Sequence, residues 1–145
     1  MRRVIVAVVM LGAGLGLARA DDAAKKLEGT YELLGGTIGG KDDPKIADIK
    51  SVVIKDGTLS IRTENRNDDA KFTLDPTQKP AHIDLVTARG NNKVAGIYEA
   101  KETADGLQLT IAFVQGDGGP RPRDFKGEEE KTVVLKLLRK KPVRD

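Results

Sequence analysis

The chain of 145 residues contains no cysteine and no tryptophan. Without cysteine it can build neither a disulfide framework nor a thiolate metal site, so an apolar core has to hold the fold together. A single histidine leaves too few imidazole ligands for a transition-metal centre. Aromatic residues make up only 3% of the chain, too few for the stacking surfaces that bind single-stranded nucleic acid. We therefore expect no metal, no cofactor and no nucleic acid.

The first 20 residues have the three parts of an export signal. Arg2 and Arg3 precede an apolar stretch from Val4 to Ala18, and a small-x-small pattern ends at Ala20. The apolar stretch is shorter than the roughly 20 residues that a membrane-spanning helix needs, although a retained anchor is the alternative. The pattern predicts a signal peptide over 1–20 and a mature domain over 21–145, with no stable membrane span after cleavage. No cysteine follows to carry a lipid.

Export changes the charge of the protein. The full chain has 25 basic and 22 acidic side chains and a net charge of +3. Arg2, Arg3 and Arg19 all lie in the predicted signal peptide, so the mature chain is formally neutral. It has no basic excess that would attract nucleic acid. We expect an extracytoplasmic protein, periplasmic or secreted, that forms one monomeric domain.

Apolar residues alternate with polar ones along most of the mature chain, which is typical of strands with one buried face. Asp56-Gly57 is a type I′ hairpin signal, and Asp105-Gly106 supplies a second turn. With the segments around Tyr31 and Ile97, eight strands result. The pattern predicts an all-β fold, an antiparallel eight-stranded lipocalin-like up-and-down barrel, after a short helical turn over 21–27. The residues expected to point into the barrel include Ile97, Leu109, Ile111, Leu135 and Leu137.

Two long segments, 36–48 and 115–130, resemble loops rather than strands, and loops of this length are often functional. The second segment contains Phe125, which is not typical of a disordered linker, because exposure of its apolar ring to water is unfavourable. We expect Phe125 to be buried against one end of the barrel and Arg121 to pair with a carboxylate or with carbonyls. The segment would then be a structural cap or a lid over a ligand mouth. Tyr31 and Tyr98 are candidates for barrel-end packing.

The order and spacing of several short motifs resemble an uncharacterised lipocalin-like domain family common in planctomycete bacteria. The resemblance implies a lipocalin-like barrel outside the cytoplasm and implies no activity. Tyr31 stands where relatives usually have tryptophan, and Ala112 stands near a position where many have cysteine, which removes any thiol chemistry. The motifs that carry the resemblance are Leu27-Glu28-Gly29-Thr30-Tyr31, Leu74-Asp75-Pro76, Lys79-Pro80, Ile83-Asp84-Leu85, Gly96-Ile97-Tyr98-Glu99 and Arg121-Pro122-x-x-Phe125.

His82 and Asp84 share one face of a predicted strand and could be two members of a hydrolytic triad. The third member is missing, because neither Ser51 nor Ser60 lies in a Gly-x-Ser-x-Gly turn. No catalytic constellation is visible, and a non-catalytic protein is expected.

Three hypotheses about function follow. The first is a binding module for a small, partly apolar ligand. The second is a protein–protein interaction or structural domain with a filled barrel, which would contact another exported protein. The third is a hydrolase that uses His82. An open or a filled barrel interior discriminates between the first two.

Overall fold

A computed structural model describes residues 22–141. Eight antiparallel strands form a closed barrel in which each strand pairs with the next one in sequence and β1 pairs with β8, which confirms the predicted up-and-down barrel. The predicted signal peptide lies outside the described residues. The strands are β1 (Gly29–Ile38), β2 (Ile49–Lys55), β3 (Thr58–Thr63), β4 (Asn67–Asp75), β5 (Ala81–Thr87), β6 (Lys93–Glu102), β7 (Gly106–Val114) and β8 (Thr132–Lys140).

Strand β1 closes the barrel. Its first three residues, 29–31, pair with β2, and the residues from Glu32 to Ile38 pair with β8. The Asp56-Gly57 turn between β2 and β3 has positive φ at both residues, 50° and 74°, as a type I′ hairpin requires. Because the barrel is closed, every strand has a hydrogen-bonded neighbour on both sides over at least part of its length.

The alternating apolar residues form the barrel interior. Leu109, Ile111, Leu135 and Leu137 point inward as predicted, and each is at most 2% exposed. Because successive side chains of a strand point to opposite faces, the intervening residues such as Lys136 face solvent.

The prediction that Ile97 points into the barrel is wrong. Its neighbours Gly96 and Tyr98 face the interior, so Ile97 lies on the outer wall, where it packs with Ala112 and Val134. The sequence misleads here because Gly96 has no side chain to mark its position as inward. A second, smaller apolar cluster therefore lies outside the barrel.

The end of the barrel at which the chain enters β1, here the lower end, is closed by a helical turn, α1 (22–26). Leu27 packs into the interior, and the Tyr31 hydroxyl donates a 2.6 Å hydrogen bond to its carbonyl oxygen. The Arg139 guanidinium lies 5.9 Å from the centre of the Tyr31 ring and donates hydrogen bonds to the carbonyls of Lys26 and Glu28.

Gly29 makes this closure possible. Its φ of +143° favours glycine, and an added Cβ would lie 2.5 Å from Cδ of Arg139. A side chain at this position would therefore push the arginine off the tyrosine ring.

The opposite, upper end is only partly covered. Segment 36–48 is more ordered than predicted, because β1 continues to Ile38 and a short helix, α2 (Pro44–Ala47), follows. Ile46 of α2 is buried in the interior cluster above Gly36, where a Cβ would approach it to 2.8 Å. No helix within residues 22–141 has the length and apolarity to cross a membrane.

Candidate functional site

A cavity of about 790 Å³ opens at the upper end of the barrel, beside the part that α2 covers. It lies between the β3–β4 hairpin, the β5–β6 turn and the end of β7. Its wall consists of apolar side chains from the seven strands β2 to β8, which are Val52, Leu59, Ile61, Ala70, Leu85, Val94, Ile111, Phe113, Leu135 and Leu137.

The floor of the cavity is closed by tightly packed side chains. Val52, Ile111, Leu135 and Leu137 reach the cavity but are at most 2% exposed, so the lower half of the barrel is filled. From Gln115 at the rim to Ile111 at the floor is four residues of a tilted strand, a depth of about 10 Å. The barrel is thus a shallow cup with a solid base.

Ala70 is the smallest side chain of the wall. It points inward from β4 above Phe72 and lines the cavity. Leu59 and Thr87 are its partners on the two neighbouring strands. The free space beside Ala70 exists because the inward position carries one methyl group instead of a branched side chain.

Polar residues surround the mouth of the cavity. Arg66 forms an ion pair with Asp68 at 3.1 Å on the β3–β4 side. Beside this hairpin, Arg89 belongs to the β5–β6 turn, and within residues 22–141 it has no ion pair. The other polar groups at the mouth are Asn67, Asp69, Thr87, Asn92 and Gln115.

The β5–β6 turn at the mouth is held by a compact set of hydrogen bonds. The Thr87 hydroxyl donates to the Arg89 carbonyl and accepts from the Asn92 backbone N–H, each at 2.9 Å. The Ala88 N–H donates to the Asp69 carbonyl at 2.8 Å, which ties the turn to β4. The backbone that carries Arg89 is therefore fixed relative to the cavity.

Residues 115–131, here called the strap, begin at the mouth but turn away from it. The Asp117 carboxylate accepts a 2.7 Å hydrogen bond from the Lys93 N–H, and the Gly118 N–H donates to the Lys93 carbonyl at 2.9 Å. These bonds fasten the start of the strap to the first residue of β6. The strap then runs along the outer wall of the barrel.

The sequence predicted that Phe125 is buried against one end of the barrel, in a cap or in a lid over a ligand mouth, and the structure places it elsewhere. Phe125 is half-buried against the outer cluster of Ile97, Ala112 and Val134, and neither it nor Arg121 lines the cavity. As expected, Arg121 pairs with a carboxylate and a carbonyl. The strap covers the wall because the outward Ile97 and its neighbours offer apolar surface there.

The two partners of Arg121 lie on adjacent strands. Its guanidinium donates to Asp84 Oδ1 at 2.7 Å and to the Gly96 carbonyl at 2.8 Å. The salt bridge is partly exposed, since the Arg121 side chain is 28% accessible and that of Asp84 56%. The contact joins the strap to β5 and β6.

His82 and Asp84 do share the outer face of β5, as the sequence indicated. The Asp84 carboxylate bonds to Arg121, and no described residue forms a side-chain hydrogen bond with His82. Within residues 22–141, no three histidine, aspartate or glutamate side chains converge in a way that could hold a metal ion. This face therefore offers no oriented acid–base pair.

The two tyrosines both lie in the interior cluster of the barrel. Burial raises the pKa of Tyr31 to about 12, against a partly compensating effect of the nearby Arg139 charge. Burial also raises the pKa of Tyr98, and the Asp75 carboxylate adds to this effect. Both hydroxyls stay neutral at physiological pH and serve the structure of the barrel.

Sequence reasoning missed the residues that shape the mouth. Ala70 carried a signal, because it continues the inward alternation of Phe72 and Leu74 with a side chain too small to fill the barrel. Arg89 carried none, since an arginine in an Arg-Gly-Asn-Asn turn is usually only solvated.

Comparison with protein-family profiles, with characterised proteins and with solved structures finds no significant match to this chain.

Proposed function

We propose that this protein is an exported, non-catalytic binding module whose barrel cavity takes the apolar part of a small molecule. The observation that carries the proposal is the open cup of about 790 Å³, whose wall below the rim is entirely apolar. Transfer of an apolar group from water into such a pocket is favourable by about 0.8 kcal/mol per methylene group. The predicted signal peptide and the family resemblance support a location outside the cytoplasm.

The proposal is tested by filling the cavity. Ala70→Phe adds an aromatic ring at the one wall position with a methyl group, and Thr73→Phe adds the same ring on the exposed outer face of the same strand. Binding of the neutral apolar dye N-phenyl-1-naphthylamine is followed by its fluorescence. We expect Ala70→Phe to abolish dye binding and Thr73→Phe to leave it unchanged.

Thermal unfolding of both variants accompanies the titration. If Ala70→Phe stays folded and the dye still binds with the original affinity, the cavity is not the binding site. In that case the alternative hypothesis of an interaction or structural domain gains support, since the filled lower half of the barrel already suits it. The hydrolase hypothesis has the least support, because Asp84 is engaged by Arg121.

A further inference from the structure

The polar end of any ligand of this cup has to remain at the mouth. Every side chain below the rim is apolar, so a charged or hydrogen-bonding group placed there would lose its water without gaining a partner. This inference rests on the proposed function and concerns the chemistry of that polar end. The charges at the rim decide which end groups are stabilised.

Two arginines and two aspartates line the mouth of the cavity, so a preference for one sign of charge depends on where each side chain points. Arg66 and Asp68 neutralise one another through their ion pair. Asp69 alternates with the inward Ala70, so its exposed carboxylate points to the outside of the wall. Arg89 has no ion pair with any of residues 22–141, and the amides of Asn92 and Gln115 add neutral hydrogen-bond donors.

The position of Arg89 suits recognition of an anion. Its backbone is fixed by the Thr87 hydroxyl, so less conformational freedom is lost when its side chain engages a ligand. A guanidinium presents a planar set of donors that matches a carboxylate or phosphate. It stands over an apolar cup about 10 Å deep, which accommodates an extended chain of roughly eight carbons.

We propose that the cup binds single-chain amphiphiles with an anionic head group, with the tail in the barrel and the head group on Arg89. The carboxylate of a free acid and the phosphate of an ester are both anions that accept hydrogen bonds from a guanidinium, so either head group fits the proposal.

The test compares ligands that have the same ten-carbon tail and different head groups. Decanol, decanoate, decyl phosphate and decyltrimethylammonium each compete with N-phenyl-1-naphthylamine at low ionic strength. We expect at least one of the two anions to bind roughly fivefold more tightly than decanol, as is usual for a solvent-exposed charge pair, and the cation to bind more weakly than decanol. The tighter of the two anions identifies the head group.

Arg89→Gln is the diagnostic variant, and Arg62→Gln is its matched control. Arg62 is an exposed arginine at the same end of the barrel, and its substitution changes the net charge equally. It alternates with the inward Ile61 and so faces away from the cavity. Arg89→Gln should remove the preference for the anion and leave decanol binding unchanged, whereas Arg62→Gln should preserve the preference.

Equal affinities for decanol and both anions, or an anion preference that survives Arg89→Gln, would overturn this inference while the proposed function stands. Failure of all four ligands and of the dye to bind the wild-type protein would overturn the proposed function instead. The two failures are thus separate observations.

Discussion

At the scale of single residues, the base of the barrel depends on Tyr31. Its side chain is fully buried, its hydroxyl bonds to the Leu27 carbonyl, and Arg139 lies over its ring. One residue therefore connects α1, β1 and β8. Replacing it changes both the stability of the domain and the way that stability depends on pH.

We expect Tyr31→Phe to lower the free energy of unfolding by about 1 kcal/mol at pH 7, because the ring stays and one hydrogen bond is lost. The pKa of Tyr31 rises from 10.0 to about 12 in the folded protein. Between pH 10 and 12 the unfolded chain therefore loses a proton that the folded protein keeps, and the wild-type free energy of unfolding falls as pH rises through this window. Denaturant titrations at pH 8, 10 and 11 measure the fall.

Lysines titrate in the same pH range as Tyr31. The difference in the free energy of unfolding between wild type and Tyr31→Phe removes their contribution, because both proteins have the same lysines. Tyr31→Phe should show a shallower fall than wild type. Tyr98→Phe is the second comparison, since burial raises the pKa of Tyr98 in the same direction. Parallel pH profiles for wild type and Tyr31→Phe would contradict the buried, neutral hydroxyl described here.

At the scale of elements, the strap is a cover for the outer wall. Phe125 packs on the outer cluster, and Arg121 reaches β5 and β6. A cover of the wall contributes to stability, whereas a lid over the mouth would control ligand access. Phe125→Ala discriminates between the two roles, because a cover loses stability and a lid changes ligand affinity.

We expect Phe125→Ala to destabilise the domain by about 1–2 kcal/mol, less than a fully buried phenylalanine costs because this ring is half-buried. Its dye affinity should equal that of the wild type. Lys126→Ala, an exposed neighbour, should change stability by no more than about 0.5 kcal/mol. Chemical denaturation and the dye titration measure the two properties, and altered dye affinity with unchanged stability would restore the lid hypothesis.

At the scale of the whole molecule, the barrel is a cup whose depth is set by its packed lower half. A ligand tail gains affinity with each methylene group until it meets the floor. We expect the affinity of straight-chain alcohols to rise by up to about fourfold per methylene group and to level off near roughly eight carbons. Dye displacement by the series from hexanol to dodecanol measures the plateau. Affinity that keeps rising to dodecanol would mean that the tail binds elsewhere.

The sequence by itself determined the architecture of this protein. Alternation in segments such as 52–61 and 107–113 was strong enough to assign strands and their inner faces, because a one-residue shift would expose the whole apolar set. Asp56-Gly57 marked a hairpin for a local reason, since few other residues adopt positive φ twice in succession. The helical turn before β1 was also readable from local signals.

Only the tertiary structure decided what lies on the outer wall and what remains open inside. Ile97 and Phe125 are far apart in the sequence, so no local pattern predicts their contact. An apolar residue on a strand also does not show whether its face is buried in the barrel interior or under the strap on the outer wall. The cavity beside Ala70 and the approach of the Arg89 turn depend on how eight strands curve around one axis. Local preferences fix the direction of each side chain, whereas free volume is the remainder left after all of them are packed together.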